Sequence, residues 1–212
     1  MSLPTLQLTV FQIKLARDMA RARHDTNRKH YIDDRTLDKK NPYKSDTIGY
    51  GGEIAFCVRF NACPDLTTEP RRGGHDCIFL SRKWDVKALK NPELLVEAEK
   101  FDTEEGRKRD EVEMYALLNY DWKDPYPSDV SAHASNPGGN AIYTFIGFAT
   151  KEMVLNGTVK KKYVGEGMNY TLQAKQLIPF SEVYGFMKEY ERQRAMYGTS
   201  HFTSKSLFAG TV

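Results

Sequence analysis

Along this 212-residue chain the spacing of apolar positions alternates between helical and strand periods. Leu8, Phe11, Leu15 and Met19 recur at helical spacing and predict an amphipathic helix over residues 5–24. A polar stretch without periodicity, Thr26 to Ile48, predicts a long loop. The run from Gly51 to Phe60 then reads as a helix entered through glycines, with Glu53, Phe56, Cys57 and Phe60 on one face. Short runs rich in β-branched, aromatic and aliphatic residues follow at Ile78–Leu80, Trp84–Leu89, Leu94–Val96, Val112–Asn119 and Ala141–Ala149. They predict a mixed central β-sheet of about five strands flanked by helices, an α/β (α+β) class. Residues 124–140, with three prolines and Gly138-Gly139, predict a loop or flap. Thr150 is placed to cap a short helix through Leu155, and Ser181 to cap a closing amphipathic helix over 181–197.

Alternation along the second of these strands brings in the chemistry. Successive strand side chains point to opposite faces, so Asp85 and Lys87 share one face while Trp84, Val86 and Ala88 take the other. If Ser81-Arg82 is the two-residue turn of a hairpin, Leu80 pairs with Lys83, Ile78 with Asp85 and Asp76 with Lys87. Asp76, Asp85 and Lys87 then converge within the roughly 5–8 Å reach of cross-strand neighbours. A one-residue slip in pairing would send Asp76 to the opposite face. Two like charges beside Val, Ile and Leu are costly unless a cation neutralises them. A hard divalent ion does so with one or two carboxylates, waters and a substrate phosphate. Lys87 beside it would orient or deprotonate a water, or stabilise charge developing on phosphorus-bound oxygen. Glu53, an acid on an apolar helix face, is either satisfied by the helix amino end or reaches the same site.

A helix entered through Gly51-Gly52-Glu53, then Asp76, then Asp85-Val86-Lys87 in an adjoining strand, followed by an apolar strand, resembles the PD-(D/E)xK nuclease superfamily, whose small members are often phage-borne. The match covers roughly residues 50–98, the expected catalytic core, and His75 stands where the nominal motif has proline. The resemblance implies a restriction-endonuclease-like core, with Glu53 as the helix carboxylate near the metal, Asp76 and Asp85 as metal ligands, and Lys87 as the catalytic lysine. It further implies that Val86 lends a backbone carbonyl to the metal. The cofactor so implied is Mg²⁺, with Mn²⁺ able to substitute, and the substrate is DNA.

Composition fits these expectations without demanding them. The chain is long enough for a single domain over residues 1–212. Net charge is only +3, but basic residues cluster. Arg71-Arg72, close before Asp76, is the pair expected beside the scissile strand, with further phosphate contacts expected from Arg21, Arg28, Lys160, Lys161 and Lys162. Three cysteines, an odd number, argue against a disulfide framework. Cys57, Cys63, His75 and Cys77 lack zinc-finger spacing, and Cys57 and Cys77 occupy apolar positions. No apolar run approaches the roughly 18 residues that span a bilayer, and the start of the chain lacks the basic-then-apolar order of a secretory signal. A cytoplasmic protein of a bacterial or phage-infected cell, with no membrane partner, is expected. Cutting both strands with one site per chain would call for a homodimer. Phosphate-loop, nucleophile-elbow and His-Glu-x-x-His motifs are missing, which removes support for ATP-driven, esterase and zinc-protease roles. The remaining alternative is a catalytically silent nucleic-acid-binding or partner-binding protein of the same fold.

Overall fold

The computed structural model describes residues 3–30, 43–67, 74–104, 106, 111–122, 140–161 and 167–197. A short edge strand, β1 (Thr5–Gln7), precedes helix α1 (Val10–Lys29), which starts later and runs further than its apolar spacing predicts. Its start is set by a capping box: the Thr9 hydroxyl accepts from the Gln12 N–H at 3.3 Å, and the Gln12 side chain accepts from the Thr9 N–H at 2.8 Å. Its buried face also differs. Ile13, Ala16, Arg17, Ala20 and His24 are buried, whereas Phe11 is 76% exposed. Small residues at 16 and 20 let a second helix come close, and this outweighs the larger apolar side chains one step round the helix.

That second helix, α2 (Lys44–Phe60), begins two turns before the expected glycine entry. Thr47 N–H already donates to the Tyr43 carbonyl at 2.9 Å. Three glycines depress helix propensity here and disguise the helix as loop. Two of them are required by close approach. A Cβ on Gly51 would lie 2.1 Å from the Tyr143 hydroxyl, and one on Gly52 would lie 2.9 Å from the Ala88 Cβ. The Tyr143 hydroxyl occupies that gap by donating to the Ile48 carbonyl at 2.9 Å. Glu53, Phe56, Cys57 and Phe60 all face inward as their spacing predicts.

Strands β2 (Cys77–Phe79) and β3 (Arg82–Leu89) form a hairpin. β4 (Glu93–Glu97) and the single-turn helix α3 (Glu99–Asp102) lead to β5 (Met114–Asp121) and β6 (Ile142–Thr150). The first sheet has five strands in the order β1-β6-β5-β3-β2, with β3 and β5 parallel and every other neighbour antiparallel. The mixed α/β class and the five-strand estimate therefore hold, but the membership differs. β4 leaves this sheet and pairs with β8 (Met168–Gln173), itself paired with β7 (Thr158–Lys161), in a three-stranded sheet. The parallel step from β3 to β5 needs a crossover, and β4 and α3 supply it. Helix α4 (Lys151–Leu155) is capped by Thr150 as predicted, its hydroxyl accepting from Met153 N–H at 3.2 Å. Helix α5 (Val183–Tyr197) starts two residues after the predicted Ser181 cap, because Phe180–Glu182 form a 3₁₀ turn. Nearly all of the predicted 124–140 flap lies outside the described residues. No described helix is long and apolar enough to cross a membrane.

Two cores result. α1, α2 and α5 pack on one face of the five-stranded sheet around Phe56, Phe60, Trp84, Phe148 and Phe180. Leu94, Val96 and Phe101 pack with Tyr115, Leu117 and Leu172 on the other. Trp84 and Val86 belong to the first core, so Asp85 and Lys87 leave β3 toward the side covered by β4 and α3.

A pair of substitutions tests the helix approach. Gly51→Ala should destabilise the fold by about 1–3 kcal/mol, the ordinary cost of overpacking. Gly49→Ala, whose Cβ meets nothing within 4 Å, should stabilise it by about 0.4–1 kcal/mol through a less flexible unfolded chain. Urea unfolding of both variants measures this; equal effects of the same sign would contradict the packing of α2.

Candidate active site

The hairpin turn is Leu80-Ser81, one residue earlier than expected, and its pairs are Cys77↔Trp84, Ile78↔Lys83 and Phe79↔Arg82. Both turn residues have positive φ, 49° and 58°, the conformation that two-residue hairpins require and that Asn-Gly usually supplies. The strain is held by neighbours. Trp84 Nε1 donates to the Phe79 carbonyl at 2.9 Å, the Phe79 and Trp84 rings lie 5.8 Å apart, and Arg82 pairs with Glu113 at 2.8 Å. Moving a two-residue turn by one position shifts each partner by two, so the faces survive. The register ends at Cys77↔Trp84, and Asp76, just beyond it, comes close enough to both Asp85 and Lys87 for their charges to act on its carboxyl.

Asp76 sits where β2 gives out. Its N–H donates to the Trp84 carbonyl at 2.7 Å, and its carboxylate accepts from the Val86 N–H at 2.7 Å, replacing the strand partner that Val86 lacks on this side. The carbonyl of Asp76 accepts from Asp65 N–H at 2.8 Å, which pins the preceding loop to the hairpin edge. Burial, and then the charge of Asp85, push the Asp76 carboxyl up to about 6, against the pull of Lys87, the Val86 N–H and Arg23.

Asp85 is 3% exposed. Lys87 Nζ lies 2.6 Å from one of its oxygens and Lys100 Nζ, from α3, lies 3.0 Å from the other. Burial by itself would raise this carboxyl, but the two ammonium groups outweigh it and hold it near 2. Lys87 is likewise disfavoured as a cation by burial, yet Asp85, Asp76 and Glu97 hold its pKa above the ordinary lysine value. Asp76, Asp85 and Lys87 are thus brought together as their spacing predicts.

Glu53 is placed differently. It is 4% exposed on α2, and its charge acts on the Cys77 thiol and the Tyr143 hydroxyl. Because α2 packs against the Trp84–Val86 face, Glu53 approaches the hairpin from the side opposite Asp85. Among the described residues no three His, Cys, Asp or Glu side chains are gathered closely enough to hold a metal ion. What the site offers a cation is a pair of hard oxygen ligands, Asp76 and Asp85. That pair fits the chemistry of Mg²⁺, which takes one or two carboxylates and fills its remaining positions with water and phosphate. The cysteines offer nothing comparable: the Cys77 thiol, hydrogen-bonded to Cys57 and buried, has its pKa pushed far up and stays protonated, whereas zinc needs thiolates.

One cation at the site, Lys100, is not marked by the sequence, and a second, Arg23, is marked only as one of a basic cluster in the first helix. Lys100 lies in a segment without periodicity. Arg23 belongs to the basic cluster of α1, and the structure turns it inward: its guanidinium sits 4.3 Å from the centre of the Tyr50 ring and its charge acts on Asp76. Of the expected phosphate contacts, three are described, each with a partner of its own. Arg21 is exposed and faces Asp25 at 4.0 Å, Arg28 donates to His24 at 3.4 Å, and Lys160 pairs with Glu93 in the three-stranded sheet. Arg71, Arg72 and Lys162 lie outside the described residues; Lys161 is a β7 strand residue whose side chain is also outside them. No family model, curated protein or solved structure matches this chain.

Two measurements test this geometry. Ser81→Gly should raise stability by about 1 kcal/mol, since a left-handed residue with a side chain costs roughly that much; no gain, or a loss, would contradict the Leu80-Ser81 turn. For Asp76, the folded-state pKa of about 6 lies above the ordinary 3.8, so ionisation in the folded state carries a penalty. It is absent below about pH 4 and fully developed above about pH 6, worth up to about 3 kcal/mol. Asp76→Asn, which keeps an acceptor for Val86, should therefore match wild type at pH 4 in EDTA and exceed it at pH 7.5. A stability difference independent of pH would contradict the raised pKa that burial and Asp85 give this carboxyl.

Proposed function

We propose that the protein hydrolyses phosphodiester bonds in DNA with the help of a divalent cation held by Asp76 and Asp85. The observation that carries this reading is the meeting of Asp76, Asp85 and Lys87 at one end of one hairpin, in a fold where they gain nothing as a solvated strand face. The cation, when bound, supplies Lewis-acid polarisation of the phosphate and makes a water acidic enough to attack it. The protein's own groups do the rest. Lys87 remains an ammonium in the field of Asp85, Asp76 and Glu97, which supports its role as a donor to the phosphate oxygens that gain charge, not as a base. Asp76, whose carboxyl burial and Asp85 raise in the absence of a cation, would be held ionised by a bound dication, so its part is that of a ligand beside Asp85. Arg23, reaching in from α1, adds positive potential at Asp76.

A second reading has one observation in its favour. Asp85 is already neutralised twice, by Lys87 and Lys100, which also suits a catalytically silent nucleic-acid-binding or partner-binding protein in which the charges are structural. Digestion of plasmid and linear DNA separates the two. Cleavage should require Mg²⁺ or Mn²⁺, stop in EDTA, and fall by about 10²-fold or more in Asp85→Ala and Lys87→Ala, the usual cost of removing a group that stabilises transition-state charge. Metal-dependent cutting that persists at the wild-type rate in Asp85→Ala would sink this assignment, and no cutting of any DNA form would favour the silent protein.

A further inference from the structure

Arg23 stands apart from the other cations around the site because no carboxylate among the described residues pairs with it. Lys87 and Lys100 are both engaged by Asp85, and Arg82 by Glu113. The guanidinium carbon of Arg23 instead lies 4.3 Å from the centre of the Tyr50 ring, which is buried in the core. A ring face attracts a cation but offers its N–H groups no oxygen to bond. Arg23 Nε is buried with no hydrogen-bond partner among the described residues, while the side chain as a whole keeps part of its surface open to solvent. A buried donor left unmatched is costly and calls for an acceptor from elsewhere.

The helix that carries Tyr50 brings this guanidinium to the site. Two residues past Tyr50, a Cβ on Gly52 would lie 2.9 Å from the Cβ of Ala88, the neighbour of Lys87 on β3. The charge of Arg23 is accordingly felt at Asp76, though as the weakest of the groups that act there. We propose that Arg23 binds a backbone phosphate of the DNA strand lying in the site, through N–H groups that have no acceptor in the protein. This rests on the proposed reading of Asp76, Asp85 and Lys87 as a DNA-cutting centre. A guanidinium presents paired donors in one plane that match two phosphate oxygens, and such charge-assisted bonds are stronger than neutral ones. A metal ion cannot fill the same need, because the guanidinium repels it. Phosphate contacts carry no base information, so Arg23 positions the strand without adding sequence preference.

Fluorescence anisotropy of a short labelled DNA duplex, and of one of its strands alone, tests this on the whole chain in EDTA, where neither metal nor cutting enters. For the form that wild type binds, Arg23→Gln should lower affinity roughly tenfold. The slope of log affinity against log salt should fall by about one, the mark of one lost phosphate contact. Lys14→Gln removes the same charge from the opposite side of the same helix, where Lys14 is exposed and pairs with Asp18; it should change neither. Arg23→Met, which keeps the side-chain stem beside Tyr50, serves if the Gln variant does not fold by circular dichroism. An arginine kept only for its contact with Tyr50 would leave the salt slope unchanged, and that result would overturn the proposal. So would the absence of DNA binding by wild type, or Arg23-dependent binding of inorganic phosphate in calorimetry with no loss of DNA affinity. Arg23-dependent DNA binding without metal-dependent cutting would uphold the phosphate contact and sink the cutting centre alone.

Discussion

A carboxylate buried on a strand inside a protein is tolerated only if positive charge reaches it, and Asp85 is met from two directions. Lys87 reaches it from two residues along the same strand, and Lys100 from the crossover that carries the chain from β3 to its parallel neighbour β5. Removing a single partner from such a buried group leaves an uncompensated charge costing several kcal/mol, far more than the intact pair contributes to stability. The architecture follows from that constraint. β4 leaves the main sheet and α3 folds back over the Asp85 face, while the aromatic core under α2 fixes the opposite face. Asp76 then enters where the two sides meet, at the frayed end of β2, satisfied by the N–H of Val86.

The grouping of Asp76, Asp85 and Lys87 was legible in the sequence because alternation along a strand is a strong rule, and because it tolerates the error that was made. Nothing in Leu80-Ser81 announces a left-handed turn, and Ser81-Arg82 looked the better connection. The true turn is forced from outside, by Trp84 bonding to the Phe79 carbonyl and by packing of Phe79 in the aromatic core. Since the displacement moved partners by two residues, Asp76 was kept within reach of both Asp85 and Lys87.

Other features depended on contacts no local pattern contains. The early start of α2 was hidden by glycines that are there for Tyr143 and Ala88, partners distant in sequence. Phe11 looked like a core residue and is exposed, because two alanines on the next face allow closer helix packing. β4 reads as a strand but not as a strand of a second sheet. Lys100 and Arg23 become site residues only through topology, the first by the crossover and the second by the packing of α1 on α2. Glu53 was correctly read as inward-facing, yet its side of the sheet is set by α2, and that separates it from Asp85.

The central claim is that Asp76 and Asp85 together bind a divalent cation, and crystals soaked in Mn²⁺ test it most directly through the anomalous signal. The account predicts a single strong peak between the two carboxylates, within coordination distance of an oxygen of each. Carboxylates left in their two-lysine pairing, with no peak between them, would contradict it.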